Sequence, residues 1–209
     1  MAFRDPKDSD LCLVDDVATA LGMATPITDA QRDELQRLVS AATQAMIEEA
    51  QLPRRYDGKP QTFFDDKYDE RFNGSGTGIL PLRHRPLIKI ITLTVDGRPI
   101  APTVSDTDFG YCAERGVGVI LLRGFCFQRG IQNVRLVSKA GFDEDHPMRD
   151  ALAQAAIETV SVMYQSKKYL HIQSEKLGDQ MITYAKQAFS PRAKTLLGQM
   201  QSKMPVAVF

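Results

Sequence analysis

The sequence predicts an α+β protein, a helical core of three to four helices with an inserted antiparallel β module. Three observations carry this. Apolar residues recur at three- and four-residue steps near both ends of the chain. The stretch 61–141 switches to short β-prone runs and holds 10 of the 14 glycines. Helix-start signals stand on either side of that stretch, at Thr28 and at Pro147. The expected divisions are 1–60 and 142–200 for the two parts of the helical core, 61–141 for the β module, and 201–209 for a C-terminal tail.

The elements follow in order. Asp15 or Asp16 is placed to cap a short helix carrying Val17, Ala20 and Leu21, and Gly22 to end it. Thr28-Asp29-Ala30-Gln31 has the spacing of a capping box, in which hydroxyl and amide satisfy free backbone N–H groups at a helix start. Leu35, Leu38, Val39, Ala42, Met46 and Ala50 then form one apolar stripe, which Pro53 stops. Strands are expected at Thr62–Phe64, Ile79–Arg83, Leu87–Val95, Val117–Leu122 and Val134–Ser138, with Asp96-Gly97 as a tight hairpin turn. His146-Pro147 opens the longest helix, since proline at the first helical position forfeits no intrahelical bond. Its face is built from Met148, Leu152, Ala155, Ala156, Thr159, Val160, Met163 and Tyr164, with Lys167 and Lys168 set against the negative end of the helix dipole. Ser190-Pro191 repeats the cap-then-proline start for a last helix through Leu196, Leu197 and Met200.

Apolar residues make up 43% of the 209 and charged residues 25%, an ordinary globular composition that excludes wholesale disorder and fibrous repeats. No run approaches the roughly 18 apolar residues of a membrane span, and Met1 to Pro6 lacks signal-peptide features, so a cytoplasmic protein is expected. Cys12, Cys112 and Cys126 form no Cys-x-x-Cys pair and read as free thiols. The formal net charge of zero conceals an asymmetry. Residues 1–70 hold 8 basic and 15 acidic side chains, residues 71–140 hold 10 and 4, and residues 141–209 hold 8 and 7. Opposite-sign regions in one chain suit self-association by complementary faces.

Catalytic and cofactor chemistry finds no support. Asn73-Gly74-Ser75-Gly76-Thr77-Gly78 lacks the Gly-Lys-Ser/Thr ending of a phosphate loop, and a strand-like segment follows it where a helix N-terminus is needed. Asp65, Asp66, Asp69 and Glu70 are hard-cation ligand types, but no histidine or lysine stands beside them in a catalytic spacing, and a solvated acidic loop is the simpler reading. His84, His146 and His171 lack the i, i+4 pairing of a helical metal site. No Gly-x-Ser-x-Gly elbow is present. The expectation is a protein that is not an enzyme and needs no metal or cofactor. Candidate contact residues are the basic Arg83, Arg85, Arg123, Arg129 and Arg135, facing a neighbouring subunit or DNA, and the acidic Asp65, Asp66, Asp69 and Glu70 as their partners. The apolar end Val206-Ala207-Val208-Phe209 is a candidate docking tail, by strand addition to a partner.

Several segments in order carry a resemblance. They are Gly78-Ile79-Leu80-Pro81-Leu82, Arg85-Pro86-Leu87-Ile88-x-Ile90 leading to Val95-Asp96-Gly97, and Asn133-Val134-Arg135-Leu136-Val137 with Ala140-Gly141-Phe142. After them come the Pro147-led helix, Leu177-Gly178-Asp179 and the Ser190-Pro191 helix with Leu196-Leu197. In this order they resemble the head-tail connector (adaptor) family of long-tailed bacteriophages, from about Leu11 to Met200. The resemblance implies a structural virion protein that forms a ring, of 12 copies, under the portal protein. It links capsid to tail, binds a stopper or tail protein on its other side, and gives double-stranded DNA a channel for packaging and ejection. The place implied is the head-tail interface of the virion, with the host cytoplasm during assembly and no membrane. A head-completion stopper or tail terminator is the nearest alternative, and a DNA-binding protein using Arg83, Arg85 and Arg123 is the alternative of another class.

Overall fold

Helix capping and apolar spacing set the first elements of the computed structural model, which describes residues 9–24, 26–55, 57–105, 108–167, 174–177, 180–183 and 189–202. Helix α1 (Val14–Ala20) starts from Leu13 as its N-cap, with no side-chain cap. Asp15 and Asp16, either of which was expected as the cap, are the second and third residues of the helix, in the first turn, where their charge still favours the positive end of the helix. Helix α2 (Asp29–Glu49) has the capping box as expected, with the Thr28 hydroxyl accepting from the Gln31 N–H and the Gln31 side chain accepting from the Thr28 N–H. The stripe Leu35, Val39, Ala42, Met46 and Ala50 is wholly buried, while Leu38, one position off the line, is half-buried. Helix α3 (Pro147–Ser166) has Pro147 in its first turn, and the Nδ1 of His146 accepts from the Met148 N–H at 3.1 Å. Leu152, Ala155, Ala156 and Val160 face inward.

The chain forms two compact units, one from 1–51 with 146–204, the other containing 52–145. In the first, α3 packs against α1, α2 and a final helix α4 (Pro191–Ser202), whose Ala193 N–H is capped by the Ser190 hydroxyl at 3.0 Å. The small Ala155, Ala156 and Ala193 allow close helix approach, and Leu35, Met46, Leu152 and Leu197 fill the space between. Each such large side chain contributes about 1.5–3 kcal/mol on burial.

The second unit is built from two antiparallel sheets. Strands β1 (Asp66–Gly74), β2 (Ile79–Pro81), β3 (Leu87–Val95), β4 (Arg98–Pro99), β5 (Gly110–Glu114), β6 (Val119–Arg123) and β7 (Gly130–Ala140) are arranged as β1-β7-β3-β4 and β2-β6-β5. Both sheets feed one core: Phe72, Leu93, Val134 and Leu136 from the first, Leu80 and Ile120 from the second, and Phe127 from the connection between β6 and β7. Asp96 and Gly97, at φ +50° and +76°, make the two-residue hairpin that pairs Val95 with Arg98, as the dipeptide predicts. Gly141, at φ +116°, lies so close to the backbone of Phe64 that a Cβ would stand 2.4 Å from its carbonyl oxygen, so glycine is required there.

The structure corrects four expectations. Thr62–Phe64 is not a strand; only Phe64 forms an isolated bridge, to Phe142. The acidic run expected as a solvated loop is β1, hydrogen-bonded along its length to β7. Strand β5 has no counterpart in the sequence reading, because Gly-Tyr-Cys-Ala-Glu offers neither β-branched residues nor clean alternation. Two further short strands, β8 (Ser174–Leu177) and β9 (Gln180–Thr183), pair with each other after α3. With four helices and antiparallel sheets among the described residues, the α+β class is as predicted.

Candidate interaction surfaces

Strand β1 alternates so that Tyr68, Glu70 and Phe72 point inward and Lys67, Asp69 and Arg71 outward. The outward Asp69 receives a two-pronged hydrogen bond from Arg135, its diagonal neighbour on β7, at 2.9 and 2.6 Å. That bond holds the Asp69 carboxyl below the usual carboxylate range. Asp65 is paired with Lys139. Asp66 accepts from Arg55 at 2.7 Å. Burial pushes the Asp66 carboxyl up, but the Lys67 N–H and Arg55 together bring it below its ordinary value.

The inward face of β1 carries a ladder of charge and aromatic rings that the sequence reading did not anticipate. The side chain of Arg55, 2% exposed, forks onto both oxygens of Asp57 at 3.0 and 2.6 Å and lies 4.4 Å over the Tyr68 ring. His84 stacks on the same ring, with centroids 3.8 Å apart. Its Nδ1 lies 3.2 Å from the buried Glu70 carboxylate, which Arg83 approaches at 3.9 Å while covering the Phe72 ring. Neither approach is a hydrogen bond at Glu70 Oε1: that oxygen and both ring nitrogens of His84 are buried with no hydrogen-bond partner among the described residues. No local sequence signal marks it, because its members come from three separate segments.

The five arginines therefore do not form one patch. Arg83 belongs to the ladder. Arg85 is half-buried, with its Nε donating to the Leu82 carbonyl at 3.2 Å and its stem against Gly118; burial lowers its guanidinium pKa. Arg129 is exposed and lies along Gly76 in the Asn73–Gly78 turn, whose Gly76 N–H is bound by the Phe127 carbonyl. Arg135 is paired with Asp69 on the outer face of the first sheet. Arg123 is exposed at the end of β6, near the Ser105 carbonyl. Residues 206–209 lie outside the described residues.

In the β2-β6-β5 sheet, Leu80 and Ile120 enter the core with Ala113 packed against it, so the alternate rows point away from it. Those rows are Ile79–Leu121–Cys112 and Pro81–Val119–Glu114, followed by Arg123 at the end of β6. Phe109 and Phe125 meet edge to face at 6.0 Å beside this end of the sheet, 70% and 51% exposed. Among the described residues, no three histidine, cysteine or carboxylate side chains gather as a metal site, and no helix is long and apolar enough to cross a membrane.

This architecture recurs in solved structures. The whole chain superimposes on 98% of a chain from the neck of an empty gene transfer agent (GTA) particle computed with C6 symmetry, at TM-score 0.52 and 14% identity. It also superimposes on 96% of a chain from the virion of a native GTA particle, at TM-score 0.51 and 14% identity. The fold is that of these particle chains. No protein-family model matches the sequence, and no curated protein does.

Proposed function

We propose that this chain is a structural neck protein of a phage-like particle, and within the neck a head-tail adaptor that forms a ring, of 12 copies, under the portal. The observation that carries the reading is end-to-end likeness: all of this chain is matched to 98% of a particle-neck chain at TM-score 0.52. The division into a helical unit and a β unit supports it, because each unit by itself offers chemically distinct surfaces for contacts with neighbours. The adaptor's work is geometric. It binds the portal on one side, presents a surface for a stopper or tail protein on the other, and leaves a channel through which double-stranded DNA passes in packaging and ejection. Its place is the virion, reached after assembly in the host cytoplasm, and no reaction is assigned to it.

Electron microscopy of the protein mixed with its portal tests this. An added ring beneath the portal is the expected result. A portal unchanged by excess protein, with the protein bound instead to an assembled head already carrying an adaptor, moves the assignment to a stopper or terminator. The tail Val206–Phe209 is proposed to dock on the portal by strand addition. A chain cut after Lys203 that folds and still binds portal normally refutes that part.

A further inference from the structure

The outer face of the β1-β7-β3 sheet gathers cations in two rows. Strand register places Lys67 of β1 and Lys89 of β3 on either side of Lys139 in one row, and Arg71 beside Arg135 in the other. Lys67, Arg71, Lys89 and Arg135 are exposed and Lys139 is half-exposed. The lysine row continues past β3, because Lys89 and the exposed Arg115 line one cleft together with Tyr111. Two acids belong to this face, and a cation holds each: Asp69 is bound by Arg135, with Lys67 and Arg71 acting on the same carboxylate, and Asp65 is paired with Lys139. Asp143 and Glu144 stand past the end of β7, on the Lys139 side, and Glu114 stands next to Arg115. Lys67, Arg71, Lys89 and Arg115 enter no ion pair among the described residues.

We infer that this face seats the phosphate backbone of duplex DNA, with the lysine row on one strand of phosphates and Arg71 and Arg135 on the other. Spacing supports a duplex. Neighbouring strands lie about 5 Å apart, so the three lysines span about 10 Å across the sheet. The two rows are four residues apart along β1, about 14 Å at the rise of an extended strand, close to the roughly 12 Å width of the major groove. Thr92 lies between the rows and Thr94 beside Arg135, adding hydroxyls, which also contact phosphates. A protein partner calls for an apolar or aromatic centre. Here the middle of the face is Asp69, Val137 and Thr92, and no aromatic ring is exposed on the three strands among the described residues. Contacts of this type read charge and not base sequence. That the duplex is the DNA passing through the neck rests on the ring reading; that the face binds a duplex does not.

The full-length protein is titrated onto a labelled duplex of about 30 base pairs and arbitrary sequence, and anisotropy is followed from about 50 to about 200 mM salt, over which each phosphate contact contributes about 0.9 to the slope of log K against log salt. Lys67→Gln with Lys89→Gln is expected to keep the far-UV spectrum and Tm, to flatten that slope by about 2 and to raise the Kd at least tenfold at about 100 mM salt. Lys67→Arg with Lys89→Arg should keep the parent slope. Arg37→Gln with Lys194→Gln, exposed positions on α2 and α4 with the same change in net charge, should bind like the parent. A parent without salt-dependent duplex binding overturns the inference. So does a Lys67→Gln, Lys89→Gln chain that binds like the parent, or a helical control pair that weakens binding equally. Duplex affinity unchanged in the glutamine variant while its ring on the portal is lost assigns the face to a protein neighbour and overturns the inference too. A chain that binds duplex through this face and adds no ring to the portal keeps the inference and sinks the neck reading. A ring on the portal formed by a chain blind to duplex sinks the inference alone.

Discussion

Replacing Arg55 by alanine is expected to destabilise the β unit by about 2–4 kcal/mol. The guanidinium makes three strong contacts: both oxygens of Asp57, the Asp66 carboxylate at 2.7 Å and the Tyr68 ring at 4.4 Å. Removing one partner of a fully buried ion pair costs about 3–5 kcal/mol, because the other charge is stranded. Here Asp57 and Asp66 remain about a third exposed, at 33% and 32%, so water takes over part of their solvation and the cost falls below that of a sealed pair. Loss of the cation–π contact adds about 0.5–2 kcal/mol. Arg55→Lys keeps the charge but not the fork and should recover less than half; Arg55→Met keeps the stem alone and should recover least. Urea unfolding by far-UV circular dichroism measures the loss. For a slope near ~1.5 kcal/mol/M, 3 kcal/mol is a midpoint shift of about 2 M. If the two units unfold separately, hydrogen exchange of the β7 amides assigns the transition. The same fork holds the Asp57 carboxyl far below the ordinary carboxylate range. A depressed pKa contributes stability that is present above the unfolded value of about 3.9 and is lost as pH falls through the folded value. The gap between parent and Arg55→Ala should therefore be full at neutral pH and narrow on strong acidification. A loss under about 0.5 kcal/mol, or a gap that widens in acid, refutes the argument.

Three further outcomes follow from the packing. Phe127→Ala empties the position of the largest fully buried side chain and should cost about 3–5 kcal/mol in the β unit, measured by the same urea transition. Thr28→Ala removes one half of the capping box and should cost about 1 kcal/mol, with Thr28→Ser restoring most of it. Burial, with smaller effects from Asp10 and Asp16, pushes the Cys12 thiol up to about 12, so in the native chain at pH 8 iodoacetamide should modify Cys112 and Cys126 and leave Cys12 intact until denaturant is added.

Local signals were readable in the linear chain wherever a short stretch carried its own physics. The capping box at Thr28, the Asp96-Gly97 hairpin, the Pro147 and Ser190-Pro191 helix starts, and the full extent of β3 all came from residues within a few positions of one another. Strand β1 did not, because its inward residues are Tyr68, Glu70 and Phe72, and a charged group in the middle of the buried row breaks the apolar alternation by which half-buried strands are recognised. The groups that meet Glu70 inside, His84 and Arg83, come from a loop more than ten residues away, a fact of packing alone. The same holds for the charges. As a list, Arg83, Arg85, Arg123, Arg129 and Arg135 read as one basic region and Asp65, Asp66, Asp69 and Glu70 as one acidic run. The fold separates them: it sets Asp69 diagonally against Arg135 on β7, pairs Asp65, just before β1, with Lys139, turns Glu70 inward, and leaves Arg123 at the end of β6 beside the Ser105 carbonyl. Composition and spacing were enough for the α+β class, the starts of α2, α3 and α4 and the Asp96-Gly97 turn, since these depend on neighbours in the chain. Which charges are paired within the chain depended on contacts between distant segments, and only the folded chain decides that.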